Sequence, residues 1–435
     1  MKSFVTIRVI LLFFVCFTTV VETTECLAFE ISVSEDNQYP INGEINSYLQ
    51  DNRNRTNILF PKDNENRISE EKVAALRFEG EILGFFWRYR FEYKKEDEND
   101  YDTDSVLQEF SRTFSLTDRV ELVAGKRMIS WSVGYSFTPL GFFQKEVDAL
   151  DITDRFGVQE GVPLLAAAYF LDNFDIVVAA SNDFEDDPDG FNKGVRQVGL
   201  KLNTAIDDFS LSIVMQQPEN QKTGLGTSLT YAWANNKLGV GFHGSCFVRE
   251  GTRRPMHKQI YEKEIDFATA DPYDDYRLTD GKLYPRWVLG SQINFEDDLE
   301  IILEISHDER GLNNEQWDHF LSMIDFHKEA QQLPGFGSIS KLNIGFDSLT
   351  FEKLRARQDY FFVRVSKKIE SWSLNQLFIT GIADESYISS TSVNYRFNDD
   401  LDFEISINQF VGSENSEFGL YPLSSSLRSG VVFLF

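Results

Sequence analysis

Apolar and polar residues alternate along most of the chain from residue 41 to residue 435. Around Leu83-Gly84, the residues Leu76, Phe78, Ile82, Phe85, Trp87, Tyr89, Phe91 and Tyr93 share one face, and Arg77, Glu79, Glu81, Arg88, Arg90, Glu92 and Lys94 share the other. Leu401, Phe403, Ile405 and Ile407 oppose Asp402, Glu404, Ser406 and Asn408 in the same way. A period of two is the signature of a strand. The predicted strands come in pairs joined by two or three residues such as Leu83-Gly84, Asp172-Asn173, Asp207-Asp208, Asn235-Asn236-Lys237, Glu296-Asp297-Asp298 and Asn398-Asp399-Asp400. Asp, Asn and Gly tolerate the positive φ of tight hairpins. With a first strand near Ile41–Gln50 and a last at Ser426–Phe435, the total is about eighteen, within a range of about 16 to 20.

Longer polar links separate these pairs: Asp51–Glu70, Lys95–Asp104, Ser132–Pro163, Asp183–Gly194, Gln217–Gly224, Arg249–Arg286 and Asp308–Asp359, with Ala383–Ser386 the short exception. Asn314–Leu333 reads as a helix over one end, with Trp317, Phe320, Leu321 and Ile324 on one side, and Gly335–Phe351 leaves room for a further pair of strands. Short and long links therefore alternate, and an even strand number puts both ends of the sheet on one side. Burying the charged faces in a sandwich core would cost on the order of several kcal/mol per unpaired charge. A water-filled lumen would hold them at little cost. The expected fold is all-β: one antiparallel transmembrane β-barrel with short periplasmic turns and long extracellular loops. Arg112 is a misfit, because it falls on the apolar face of Phe110 and Phe114.

The stretch Ser426–Phe435 resembles the C-terminal strand of bacterial outer-membrane β-barrels, in which the final Phe helps the barrel-assembly machinery recognise the chain; Phe433 and Phe435 are the residues this assigns. Gly125-Lys126-Arg127 with Trp131, then Phe137-Thr138-Pro139, resembles the strand-to-loop junction of porin-like proteins. As a whole the chain is similar to the outer-membrane porin class, and its strand number is shared with alginate-export-type channels. The resemblance implies an outer-membrane location, with lipid and lipopolysaccharide around the barrel and a homotrimer as an open possibility.

The 435 residues carry a net charge of -27, which excludes nucleic acid as a partner, since phosphate contacts need basic patches. The 39 Phe and 16 Tyr suit aromatic girdles. Residues 1–28 read as a signal peptide: Lys2 and Arg8 precede the apolar run Val9–Val21, and Ala28 offers a cleavage site, with lipidation of Cys26 as the rival. Residues 29–40 are then a periplasmic N-terminal segment and residues 41–435 a single barrel. Cleavage leaves Cys246 as the one cysteine, so no intrachain disulfide is expected.

No nucleotide loop, zinc spacing or nucleophile elbow is present, and neither a cofactor nor a metal is expected. Acidic runs at Glu96–Asp100 and Glu185–Asp189 read first as solvated loops and second as divalent-cation sites between lipopolysaccharides. His243 is placed with Ser245 on the lumen face and His307 toward lipid, without the partners of a lipase triad, so no enzyme is expected. The lumen faces read as nearly neutral: Arg77, Arg88, Arg90, Lys94, Arg127, Lys201, Arg364, Arg396 and Arg428 stand against Glu79, Glu81, Glu92, Glu121, Glu300, Glu304, Asp402 and Glu404. Arg77, Arg88, Arg90, Arg127, Arg364, Glu79 and Glu92 are the candidate pore-lining residues. The Ser132–Pro163 loop carries Glu146, Asp148, Asp151 and Asp154, the candidate constriction residues, with Gly141, Phe142 and Phe143 to fold it inward. Whether that loop enters the lumen is open, as is whether the arginines face it or merely pair with glutamates. The function expected is passive passage of small polar or charged solutes; exopolysaccharide export, a pore-less adhesin or structural barrel, and an outer-membrane lipase are the alternatives.

Overall fold

Alternation of side chains forces each strand to present one face to each side of a sheet, and eighteen such strands close on themselves here. The computed structural model describes residues 41–435 apart from 56, 58, 60–69, 97–99, 144–149, 151–158, 183–195, 255, 258, 261–276, 278–279 and 353–354. The proposed signal peptide (1–28), the N-terminal segment (29–40), the acidic run 185–189 and most of the run 96–100 lie outside the described residues. In chain order the strands are β1 (Ile41–Asn54), β2 (Glu70–Ile82), β3 (Phe85–Glu96), β4 (Asp100–Thr117), β5 (Val120–Arg127), β6 (Val162–Phe170), β7 (Phe174–Asn182), β8 (Arg196–Ile206), β9 (Phe209–Pro218), β10 (Gly224–Ala234), β11 (Leu238–Val248), β12 (Arg286–Phe295), β13 (Leu299–Asp308), β14 (Asp359–Ile369), β15 (Trp372–Gly381), β16 (Tyr387–Asn398), β17 (Leu401–Val411) and β18 (Leu423–Leu434). Each pairs antiparallel with its sequence neighbour, and β18 pairs with β1. The expected transmembrane barrel and its strand number are thus the observed ones.

The seam between β1 and β18 is sealed by a glycine. The Gly43 and Phe435 backbones exchange hydrogen bonds of 2.9 and 3.0 Å. A Cβ on Gly43 would sit 2.1 Å from the Phe435 ring, which lies across it against Phe78 with ring centroids 6.1 Å apart. The outer face carries exposed Phe110, Phe114, Leu165, Leu202, Ile213, Trp233, Phe242, Leu289, Phe361, Phe378, Ile405 and Leu427. Each would be costly against water and is at home against hydrocarbon.

Two readings need correction. Strands run further than the apolar pattern: β4 starts at Asp100 and β2 at Glu70, where residues 95–104 and 51–70 read as links. Beyond the apolar band a strand keeps its ladder and takes polar residues freely, so alternation of hydrophobicity fades before pairing does. Gly335–Phe351 holds no strands; Gly337–Glu352 is a helix, with Ser340, Asn343, Ile344 and Asp347 buried at helical spacing. It is α2. Helix α1 is Asn314–Ala330, begun by an Asn313/Gln316 capping box. Trp317, Phe320, Met323 and Ile324 of α1 and Ile344 of α2 form one apolar cluster with Leu59, Met256, Ile260, Leu312 and Leu420. Those partners belong to the β1–β2, β11–β12, β13–β14 and β17–β18 links. Links rooted far apart around the ring therefore converge on the helix pair, over the end opposite the short turns.

Candidate functional site

The link that follows β5 turns into the barrel. Its entry is set by a bulge: register shifts between Arg88 and Tyr89, so that Gln108 and Glu109 of β4 both turn inward and are buried. Glu109 accepts from the Met128 amide at 3.0 Å, and Gln108 donates to the Gln159 carbonyl at 2.9 Å. The two ends of the link are thus tied to neighbouring residues of one strand. Gly125, at φ 129°, lets β5 pass against β4: a Cβ there would lie 2.1 Å from the Phe110 carbonyl.

Residues 129–143 form a closed arm inside the lumen, with Ile129 bridged to Phe143. Trp131, Leu140 and Phe143 are buried against Val162, Leu164, Ala166, Ala179, Val214 and Phe247 on the inner faces of β6, β7, β9 and β11. Gly199 and Gly226 hollow the wall to receive them: a Cβ on either would meet the Trp131 ring at 2.7 Å or Leu140 at 2.6 Å. The arm then crosses the bore to β11–β13. Glu304, 2 % exposed, accepts from the amides of Tyr135 and Ser136 at 2.7 Å each and from the Ser136 hydroxyl at 2.5 Å. The His243 imidazole lies 2.7 Å from the same carboxylate. Ser245 accepts from the Val133 amide at 3.3 Å, and the Tyr135 hydroxyl bonds Gln292 at 2.7 Å. Arg355, ahead of β14, donates to the Ser136 carbonyl and lies 4.8 Å from the Phe137 ring.

The wall that this arm leaves uncovered is that of β18, β1, β2, β3 and β4, and it is a ladder of ion pairs. Arg77 pairs with Glu44, and Arg90 with Glu92. Arg88 sits between Glu79 at 2.9 Å and Glu109 at 3.0 Å. Lys94 is 3.8 Å from Glu71. Arg428 donates to Gln50 at 2.8 Å and stacks 4.5 Å from the Tyr48 ring. Arg127, at the end of β5, donates to the Thr113 hydroxyl at 2.9 Å. Arg364 stands apart on β14, 3.4 Å from Glu300, and borders a 470 Å³ cavity toward the short turns with Leu150, Asn375 and Ser390. The sequence-predicted lumen residues Arg77, Glu79, Arg88, Arg90 and Glu92 are therefore brought together; Arg127 and Arg364 are separate from them. Glu146, Asp148, Asp151 and Asp154 lie outside the described residues. Glu44, Glu71 and Glu109 were missed: Glu44 sits on the polar face of the predicted first strand, whose facing was not assigned, Glu71 falls where β2 outruns the apolar pattern, and the bulge reverses the parity that would have given the third.

Arginines gather under the helices, beside Asp308. Arg249 bonds the neutral Gln216 amide oxygen at 3.3 Å. Burial, then the nearby Arg310 and Arg253, bring its pKa down to about 10. Arg254 and Arg310 share Asp308. A separate buried junction joins the links themselves. Glu417, in the short helical turn Glu417–Leu420, accepts from the Tyr360 hydroxyl at 2.7 Å and the Ala356 amide at 2.6 Å. Among the described residues no group of three His, Cys, Asp or Glu could hold a metal. A cavity of 700 Å³ lies beside α1, lined by Arg277, Asp280, Lys282, Tyr284 and His319 among others.

A closed antiparallel barrel with an apolar outside, a polar inside and an arm across the bore defines a membrane-spanning barrel of porin architecture. The fold is similar to solved outer-membrane proteins across nearly the whole chain. OccAB3 of Acinetobacter baumannii superposes with a TM-score of 0.53 at 9% identity, covering 92% of this chain and 99% of that one. OccK5 (OpdH) of Pseudomonas aeruginosa gives 0.51 at 9% identity, covering 91% and 98%. OpdK of Pseudomonas aeruginosa, solved with vanillate, gives 0.52 at 8% identity, covering 92% and 98%. No family model and no curated protein matches the sequence.

Proposed function

We propose that this protein is an outer-membrane channel for passive passage of small polar or charged solutes, through the gap between the inward arm and the ladder of ion pairs on β18 and β1–β4. The observation that carries the reading is the arm itself. A barrel serving as an anchor has no need to bring residues 129–143 into its bore and tie them to Glu304 on the far wall. Narrowing by an inserted loop is what a selective pore requires, and charged side chains facing a narrow bore filter ions and orient dipoles. The likeness in fold to outer-membrane proteins such as OpdK supports the location and suits small organic solutes.

The test is conductance of the purified barrel in a planar bilayer. Arg88→Gln with Arg90→Gln removes two positive charges and leaves Glu79, Glu92 and Glu109 uncompensated. At about 8 Å from a permeating ion in a watery bore each charge is worth about 0.5 kcal/mol. The reversal potential in a low-salt gradient should move toward that of a cation-selective pore, with the cation-to-anion ratio raised by about tenfold or more, since each lost charge acts on cation and anion with opposite sign. An unchanged reversal potential at low salt, where screening is weakest, would show that ions do not pass this wall.

A further inference from the structure

Arg112 is the side chain that the sequence pattern could not place and that the lumen does not use. It lies on the outer face of β4, opposite Phe85 of β3 and Ala124 of β5. Its guanidinium rests against two rings, 5.2 Å from the centre of Phe85 and 4.8 Å from that of Phe114. Phe110, stacked 5.3 Å from Phe85, and Phe114 are exposed on the same face. A Cβ built on Gly84 would lie 3.4 Å from the Arg112 Nε, so the side chain reaches down to the Leu83-Gly84 turn. Among the described residues it has no hydrogen bond and no acidic partner. Every lumen arginine of the ladder, by contrast, has a hydrogen-bonding or ionic partner within the protein.

These features fix what kind of partner is missing. The group faces the lipid, so water alone does not serve it along its whole length. It stretches toward the end of the barrel where polar headgroups begin, as long basic side chains do. The aromatic rings hold the guanidinium in one place by cation–π contact and leave its N–H edges open. A planar fork of donors with a fixed positive charge matches a phosphate better than any other membrane group. The turn it reaches belongs to the short-turn end, so the leaflet concerned is the one on that side.

We propose that Arg112, framed by Phe85 and Phe114, is a binding site for the phosphate of a phospholipid headgroup in the leaflet at the short-turn end of the barrel. This rests on the barrel lying in a membrane but not on its conducting anything, and the experiment below does not read conductance.

The full-length folded barrel in detergent is titrated with phosphatidylglycerol and retained lipid is counted by native mass spectrometry. Wild-type protein should retain one more lipid than Arg112→Gln, with the affinity for that lipid down about fivefold in the variant. Arg112→Lys should recover part of the difference, because it restores charge without the fork. Arg119→Gln, at a turn and 3.5 Å from Asp172, should behave as wild type. Millimolar inorganic phosphate should not displace the lipid, since the acyl chains contribute the rest of the binding. Heat-modifiable migration of each variant certifies the fold. Equal retention by folded wild type and Arg112→Gln would overturn the proposal. So would a dependence on Arg112 seen with added lipopolysaccharide and not with phosphatidylglycerol, which would put the site in the other leaflet.

Discussion

Glu304→Gln is the perturbation that separates the two ways in which the inward arm is held. The wild-type carboxylate accepts four contacts: the Tyr135 amide, the Ser136 amide, the Ser136 hydroxyl and His243. Glutamine keeps the shape but has one accepting oxygen, and its amide NH2 would face at least one backbone N–H. Two of the four bonds are then lost or reversed. Hydrogen bonds to a charged acceptor are worth about 1.5–3 kcal/mol each, so the far anchor loses about 3–6 kcal/mol of gross interaction. The near anchor is untouched. Trp131, Leu140 and Phe143, fully or nearly buried, contribute about 1.5–3 kcal/mol apiece. The variant should therefore fold, keep residues 138–143 seated and release 133–137. Hydrogen exchange followed by mass spectrometry should show loss of protection confined to Val133–Phe137, and single-channel records should show flicker between the wild-type level and a larger one. Unchanged protection at Tyr135 and Ser136 in a folded Glu304→Gln barrel would refute the reasoning, because it would mean the apolar foot and the bonds to Ser245, Gln292 and Arg355 hold the arm without the carboxylate.

Two further outcomes follow from local geometry. Glu417 has its pKa raised to about 7, first by burial and then by Asp384, against the lowering effect of Tyr360, Ala356 and Arg357. A raised carboxyl favours the folded state while protonated, so its contribution, about 3 kcal/mol, is complete below the unfolded value near 4.5 and is lost as pH rises through 7. Exchange of Ser416–Tyr421 should quicken between about pH 4.5 and 7 beyond its intrinsic rate and level off above that, and Glu417→Gln should abolish that excess; a wild-type profile in Glu417→Gln would assign it elsewhere. Gly43→Val should cut the yield of heat-modifiable barrel sharply, because the new side chain would occupy the space of the Phe435 ring, whereas Gly43→Val with Phe435→Ala should recover part of it.

The barrel was legible because its two solvents differ so much: lipid outside and water inside impose a period of two on every strand, and Asp- and Asn-rich turns mark each hairpin. The same rule failed where the lipid ends. β4 continues through Asp100–Ser105 on polar residues, and nothing in its composition distinguishes a ladder in water from a loop. The helix Gly337–Glu352 was ambiguous because Ile339, Leu342, Ile344 and Phe346 satisfy either period over so short a run. In the site, Gly141, Phe142 and Phe143 signalled an arm able to pack inward. Its far anchor was counted as one lumen acid among eight, since Glu304 lies 168 residues from Ser136 in sequence and only the closed barrel brings them together. Arg112 is the reverse case: the pattern flagged it as a misfit, and the misfit proved to be a real outward-facing cation.

The pairing along the ladder changes how a charge mutation there should be understood. Arg88 has 21% of its side chain exposed, and Glu109, one of its two partners, 8%, so the pairs sit partly out of water rather than on an open surface. Removing one member of such a pair leaves a charge that has lost both its hydration and its partner. Arg88→Gln does not simply delete a positive charge: it creates a pair of carboxylates, Glu79 and Glu109, with a vacancy between them that a cation or a proton will fill. Selectivity in Arg88→Gln should shift toward cations when monovalent salt is low, and the shift should disappear in Arg88→Gln combined with Glu79→Gln, which removes both members of the 2.9 Å pair. If Arg88→Gln combined with Glu300→Gln, which removes a lumen acid beside Arg364 and away from the ladder, cancels the shift as well, the ladder acts as independent charges rather than as pairs.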